Sequence, residues 1–402
     1  MQKAYLYPGI RSPFGRYGGC LAKVRPDDLA AQVVDSLVSN EVIPHLNEVI
    51  LGCSNQAGED SRNIARNTVL ASKLTEGIPA ITVNRLCASG LSAVIAAARS
   101  IQCSEANLIL AGGVEHMTRA PIIMAKAEVP FARAPSIFDS TLGARFPNPR
   151  VLKQYGAHSM PETGDEVAKD LGITREAADA FAFQSQQRYA QAFERGFFKD
   201  EILPILLPKN RKSAGGDEYA SVDEHPRPQS TLEKLAKLSS LQEGGVVTAG
   251  NASGLNDGAA AMFIGNENAQ DILAQKPLAQ ILGSAAVGVA PRTMGLGPVD
   301  AIKQLLDRFS LKMSDIDIIE INEAFASQVL GCLKLLNLQA DDKRLNPHGG
   351  AIAIGHPLGA SGARLALTAA RYLDEMNGRY AVVSLCVGMG QGVALLLKSM
   401  QN

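Results

Sequence analysis

At 402 residues the chain is longer than one hydrophobic core usually supports, so two or more core units are expected. Hydrophobic residues at 46% and charged residues at 20% suit a globular protein that buries much of its surface. Basic and acidic side chains, 39 against 40, nearly cancel to a formal charge of -1, which excludes a general attraction for nucleic acid or an anionic membrane.

No apolar run is long enough to span a bilayer, and the opening Met1 to Pro8 stretch lacks the apolar centre of a secretory signal. The cysteines are Cys20, Cys53, Cys87, Cys103, Cys332 and Cys386, with no CxxC pair. This usage points to a reduced, cytoplasmic chain without a metal site.

In chain order, an apolar stripe predicts a helix over 28–38, followed by short buried strands at 48–52 and 80–83. A helix is expected over 90–101 and a glycine-ended strand over 107–113. From Arg119 to Ser240 the composition changes: prolines are frequent, a polar helical run covers 174–195, and a polar stretch covers 209–216. Further on come a helix over 299–309, a strand over 317–321, a helix over 362–373 and a strand over 380–388. Strands alternating with helices argue for an α/β fold.

The two ends repeat one another. Asp28 and Asp35 frame an apolar stripe, as do Asp300 and Asp307; strand 49–51 matches 318–320. Cys87-Ala88-Ser89-Gly90 opens an Ala-rich helix, and so does Ala360-Ser361-Gly362-Ala363. All these matches lie at one offset of about 270 residues, which indicates a duplicated unit. The segment 119–240 has no counterpart and reads as an insertion on the first half, a placement typical of lids and binding loops.

Four places can carry chemistry. Cys87 follows a strand and begins a helix, where unpaired N–H groups and the dipole favour a thiolate; its small neighbours leave room for a bulky acyl donor. A buried structural cysteine is the competing reading. His356 sits in a Gly- and Pro-bounded loop before a helix, a setting that disfavours its protonation and leaves it able to take a thiol proton or donate to an oxyanion. Cys386 ends a strand, and the glycines after it either make a tight turn or aim the Gly388 N–H into a cavity. Asn322 and Glu323 close the 317–321 strand, where α/β proteins place functional groups, although turn chemistry alone uses the same residues.

Taken together, these segments resemble the thiolase family along nearly the whole chain. The matching runs are Asn84-Arg85-Leu86-Cys87-Ala88-Ser89-Gly90, Thr248-Ala249-Gly250-Asn251-Ala252-Ser253-Gly254, Asn322-Glu323-Ala324-Phe325-Ala326, Gly355-His356-Pro357 and the Cys386 segment. The resemblance implies a five-layered α-β-α-β-α sandwich of two duplicated halves with an inserted loop domain. Its expected divisions are 1–118 for the first part of the N-terminal half, 119–245 for the insertion, 246–270 for the strand region completing that half, and 271–402 for the C-terminal half.

The resemblance also implies roles. Cys87 is acylated, His356 takes its proton and steadies an oxyanion, and Asn322 holds a water that donates to the same oxyanion. Cys386 moves a proton to and from the acetyl α-carbon or the leaving thiol, and the N–H groups of Cys87 and Gly388 form a second oxyanion hole. Ser253, with its neighbour Ala252, meets the pantetheine arm; Met160, Met294 and Phe325 line the acyl pocket. Coenzyme A and acyl-CoA are substrates, no permanently bound cofactor is implied, and the assembly is a homotetramer or homodimer.

Residues 52–60, 159–163 and 386–392 resemble one branch, the β-ketoadipyl-CoA thiolases of aromatic catabolism, while His348 stands where that branch commonly has asparagine. A carboxylate-ended acyl chain wants a cation, and Arg119, Arg133, Arg145 and Arg150 of the insertion are candidates. An acetyl-CoA acetyltransferase and a non-catalytic acyl-CoA-binding protein remain as alternatives.

Overall fold

The computed structural model describes residues 2–131, 133–209 and 217–401; the polar stretch 209–216, apart from Lys209, lies outside them. The strands of the main sheet are β1 (Ala4–Arg11), β2 (Glu48–Gly52), β3 (Ala80–Val83), β4 (Leu108–His116), β5 (Asn256–Gly265), β6 (Ala279–Gly288), β7 (Ile318–Ile321), β8 (Tyr380–Val387) and β9 (Gln391–Ser399). They run β7-β8-β9-β6-β1-β5-β4-β2-β3, with the two-residue piece Gly15–Arg16 added beside β5.

The pairings expose the repeat. In the first half β1–β5 and β5–β4 are antiparallel, while β4–β2 and β2–β3 are parallel. In the second half β6–β9 and β9–β8 are antiparallel, and β8–β7 is parallel. A single parallel bridge between Ile319 and Leu345 stands where β3 stands in the first half. The halves meet edge to edge through β1 and β6.

Eight helices build the layers and carry the site: α1 (Pro26–Leu37), α2 (Ile64–Ala71), α3 (Ser89–Gln102), α4 (Met160–Leu171), α5 (Arg175–Glu194), α6 (Gly297–Arg308), α7 (Ala326–Leu335) and α8 (Leu358–Glu375). Because side chains alternate across a strand, each half-sheet serves two cores. On β4, Ile109 and Ala111 face α3 and α8, whereas Leu108 and Leu110 face α1 and α2. On β8, Ala381, Val383 and Leu385 face α3 and α8, whereas Tyr380 and Val382 face α6 and α7. The layers are therefore α1/α2, sheet, α3/α8, sheet, α6/α7, the five expected from the sequence.

The middle layer is tight. A Cβ on Gly90 would sit 2.4 Å from the Gly359 carbonyl oxygen, and one on Gly362 would sit 2.5 Å from the Leu91 nitrogen. Only glycine lets the two helix backbones approach this closely, and that approach brings their N-terminal ends together.

Two boundaries differ from the sequence reading by more than two residues. α8 begins at Leu358 rather than at 362, because Pro357 takes the extended N-cap position. β4 continues to His116, since Val114 and His116 keep pairing with Ala259 and Asp257.

The segment after β4 opens with a hairpin of Ile122–Met124 and Ile137–Asp139, then reaches α4 and α5. α4 begins with a Ser159/Glu162 capping box, and the Thr174 hydroxyl accepts from the Ala177 N–H at 3.2 Å to start α5. α5 then latches onto the second half: Ser185 donates to Glu323 at 2.7 Å and Gln186 to the Ile352 carbonyl at 3.2 Å. Arg11 of β1, fully buried, holds both Asp223 and Glu201 at 2.7 Å, and Arg371 of α8 reaches Glu201 at 2.9 Å. Removing one member of such a buried charge set is strongly destabilising, which fixes the segment against both halves. Among the described residues no helix is long and apolar enough to cross a membrane.

Candidate active site

Cys87 lies in one tight turn, Leu86–Ala88, between β3 and α3. The turn is strained, for Leu86 has φ of 46°, a region that costs a residue with a Cβ about 1–2 kcal/mol. Side chains hold it there. Asn84 accepts from the Leu86 N–H and donates to the Ser54 carbonyl, both at 2.9 Å; Ser89 accepts from the Arg85 N–H and donates to the Leu86 carbonyl. The residue as a whole is half-buried.

Burial pushes the Cys87 thiol up, and the N–H groups of Gly388 and of Cys87 itself oppose that shift. The helix end alone would favour a thiolate, as the sequence suggests; the N–H groups are present, but desolvation outweighs them. A base is needed. Burial also drives Cys386, at 1% exposure, well above the usual thiol range, with Cys87 the next cause. That thiol keeps its proton and has one to give.

His356 precedes α8 and is held by its own N–H, which donates to Asn256 at 2.9 Å. Its Nδ1 lies 2.6 Å from the Ser361 hydroxyl, and that hydroxyl donates to the Pro357 carbonyl at 2.9 Å. A hydroxyl has one proton, so Ser361 must accept from His356 Nδ1–H. The lone pair is thereby placed on Nε2, which faces the Asn322 amide at 3.3 Å. Burial first, and Arg364 second, lower His356 to about 3, so the imidazole is neutral at physiological pH. The sequence points to the same neutral state through the helix dipole; burial is the larger cause.

Asn322 is fully buried at the end of β7, its N–H on the Ser384 carbonyl at 2.9 Å, two residues from Cys386. Cys386, Ala252, Met294 and Phe325 share one apolar cluster, against which Met160 packs. Gly388 faces both Leu86 and Met160. Among the predicted residues, Cys87 lies with Cys386 and Gly388, and His356 lies against Asn322; the Ser253 N–H donates to the Ala324 carbonyl at 2.9 Å, beside Phe325.

Two residues escape the sequence reading. Ser361 fixes the imidazole, and its signal is its place one turn beyond His356 in a run of small residues. Glu115 ends β4 and accepts from the N–H groups of Ser54, Asn55 and Gly359 at 2.9, 3.0 and 2.8 Å. It joins the loop behind Cys87 to the start of α8, and burial raises it to about 7. A glutamate closely following two glycines inside a buried strand is the available clue.

A neutral imidazole, two neighbouring thiols and the N–H groups of Gly388 and Cys87 suit acyl transfer through a thioester. Comparison with known proteins agrees. The family model for the thiolase N-terminal domain matches residues 5–268, and that for the thiolase C-terminal domain matches residues 275–399. The chain is 49% identical to a beta-ketoadipyl-CoA thiolase of Acinetobacter baylyi, over 99% of this chain and 100% of that one. It is 50% identical to the 3-oxoadipyl-CoA/3-oxo-5,6-dehydrosuberyl-CoA thiolase of Escherichia coli K12, with the same coverage. Among solved structures, an acetyl-CoA acetyltransferase of Bacillus anthracis superposes with a TM-score of 0.91 at 36% identity, covering 100% of this chain and 99% of that one. Human mitochondrial 3-ketoacyl-CoA thiolase in complex with CoA gives 0.88 at 37%, covering 99% and 98%. On fold, site and full-length likeness the chain belongs to the thiolase family of acyltransferases.

Proposed function

We propose that this thiolase cleaves 3-oxoadipyl-CoA with free CoA, giving acetyl-CoA and succinyl-CoA. The observation that carries the reading is the presence of the paired thiols of Cys87 and Cys386, and of His356 against Asn322, in a chain 49–50% identical, over 99% of its length, to relatives named for that substrate.

Each residue takes one part of the work. His356 Nε2 takes the Cys87 proton, and the sulfur attacks the C3 carbonyl carbon. Asn322, through a water, and His356 Nε2–H steady the oxyanion of the departing acetyl-CoA unit. The C2–C3 bond breaks, its electron pair stays on C2, and Cys386 gives that carbon its proton. The acyl group is now a thioester on Cys87, with its carbonyl oxygen toward the N–H groups of Cys87 and Gly388. Free CoA then loses its thiol proton to Cys386 and attacks the thioester; Cys87 leaves and recovers its proton from His356. Removing one oxyanion donor in such a site costs roughly 100–1000-fold in rate.

Met160, Met294, Phe325 and Ala252 form the apolar wall of the acyl recess, and Ser253 stands on the pantetheine side. Coenzyme A and acyl-CoA come and go as substrates, with no cofactor retained. The hairpin side chains Ile122, Met124 and Ile137 are exposed and apolar, which supports a homodimer or homotetramer. Unpaired cysteines fit a cytoplasmic location.

Thiolysis followed by absorbance, with 3-oxoadipyl-CoA, 3-oxohexanoyl-CoA and acetoacetyl-CoA offered in parallel, tests the proposal. The dicarboxylate-derived substrate should give the highest kcat/KM. A preference for acetoacetyl-CoA would make the enzyme an acetyl-CoA acetyltransferase, and no CoA-dependent cleavage of any of the three would overturn catalysis itself.

A further inference from the structure

Many arginines of this chain already face a carboxylate. Arg119 donates twice to Glu59, Arg25 pairs with Asp27 and Glu59, Arg292 with Glu166 and Asp170, and Arg344 with Asp342. Arg145 differs. It is half-buried after the Ile122–Asp139 hairpin, and its Nη1 donates to the Asn55 side chain at 2.8 Å and to the Asn55 carbonyl at 3.4 Å. Among the described residues no carboxylate pairs with it, and its Nε and Nη2 make no hydrogen bond. Those two donors form one edge of the guanidinium, the fork that fits a carboxylate or phosphate side-on.

The group holding Arg145 is itself held. The Asn55 N–H sits on Glu115 at 3.0 Å, and the adjacent Ser54 carbonyl accepts from Asn84, which in turn fixes the Leu86 N–H, one residue before the nucleophile. Arg145 therefore borders the loop that positions Cys87. Of the other candidate arginines in the same segment, Arg119 is taken by Glu59, while Arg133 and Arg150 are exposed to solvent and their side chains make no hydrogen bond among the described residues. A partly desolvated cation without a counter-ion among the described residues, bonded to the loop that braces the Cys87 turn, calls for an anion brought by the substrate.

We propose that Arg145 is the specificity-determining residue for the far end of the acyl chain, pairing side-on with its terminal carboxylate. This rests on the reading of the substrate as 3-oxoadipyl-CoA. A phosphate of coenzyme A offers the same chemistry, so the experiment separates the two sources.

The full-length enzyme and its Arg145→Gln and Arg145→Lys variants are compared on 3-oxoadipyl-CoA and on 3-oxohexanoyl-CoA, which replaces the carboxylate by a methyl group. Thermal midpoints and the KM for CoA are measured alongside. Loss of a charged hydrogen-bond pair predicts that Arg145→Gln lowers the charged-over-uncharged ratio of kcat/KM by roughly 10–100-fold, with a smaller drop for Arg145→Lys. An unchanged ratio in Arg145→Gln, with the wild type still preferring the charged chain, overturns the assignment and leaves the proposed function standing. Equal losses on both substrates with a raised KM for CoA move Arg145 to a phosphate and overturn it as well. A wild type indifferent to the carboxylate removes the substrate reading beneath it.

Discussion

The N-terminal ends of α3 and α8 are the same place in two copies of one plan, yet they have taken opposite tasks. The α3 end is open and strained: Leu86 has a positive φ, Cys87 is half-buried, and side chains brace the turn. The α8 end is closed: Ala360 and Ser361 are fully buried, His356 is 4% exposed, and its bracing contacts are internal. Ala360, the counterpart of Cys87, has become packing. Duplication supplied two helix ends held close by Gly90 and Gly362; in the proposed mechanism one carries the nucleophile and the other its base.

If the two ends work as one unit, breaking either should cost as much as breaking both. Cys87→Ala and His356→Ala should each lower kcat by about 10⁴-fold or more, and the double variant should be little worse than the poorer single one. Steady-state thiolysis on the three proteins decides it; additive losses would mean that the two ends contribute separately.

A smaller effect sharpens the account of the closed end. Ser361→Ala removes the acceptor of His356 Nδ1–H without touching substrate. Loss of an orienting partner of this kind predicts a fall in kcat of roughly 10–100-fold. KM for the acyl substrate should hold, because the lost contact lies behind the ring. A raised KM with unchanged kcat would show that Ser361 shapes the recess instead.

The contrast between the two ends also explains which residues the sequence makes legible. Cys87, His356 and Cys386 stand at strand or helix ends, where nearby glycines and prolines mark them in one dimension, and Asn322 is marked by its place just past an apolar strand. The duplication follows from the repeat, since strand and helix periods survive it, and the layer order follows from the family resemblance. Ser361 and Glu115 are illegible for a shared reason. Their roles come from which backbone groups face them: Gly359 reaches Glu115 across the two halves, and the Pro357 carbonyl fixes the direction of the Ser361 proton. Arg145 is one of four equivalent cations until partners are known. In one dimension the thiol of Cys87 is placed by its helix end alone, and the burial that dominates it is a property of packed layers.

The last expected effect concerns stability, and it tests whether the closed end also carries a cost. His348 lies 1% exposed in the loop leading to His356, stacked on Phe197 at 3.8 Å and edge-on to Tyr372 at 4.3 Å, with neither ring nitrogen hydrogen-bonded within the described residues. Burial is the main cause lowering it to about 4; Arg195 and Arg371 act in the same direction and Glu201 against it. The unfolded chain, with an ordinary histidine near 6.5, binds this proton first. Stability is therefore intact above about pH 6.5 and declines as pH falls toward 4, by up to about 3 kcal/mol from this residue. His348→Asn removes the titrating group, so denaturant midpoints measured from pH 7.5 down to 4.5 should fall less steeply than in the wild type. The slope should not vanish, because half-buried His225 and buried His356 are also held neutral, at about 4 and about 3. At pH 7.5 the variant loses the ring stack and is modestly less stable, so the two curves should converge on acidification. Parallel curves would mean that His348 meets a partner in the folded protein and that the acid sensitivity belongs to the other two histidines.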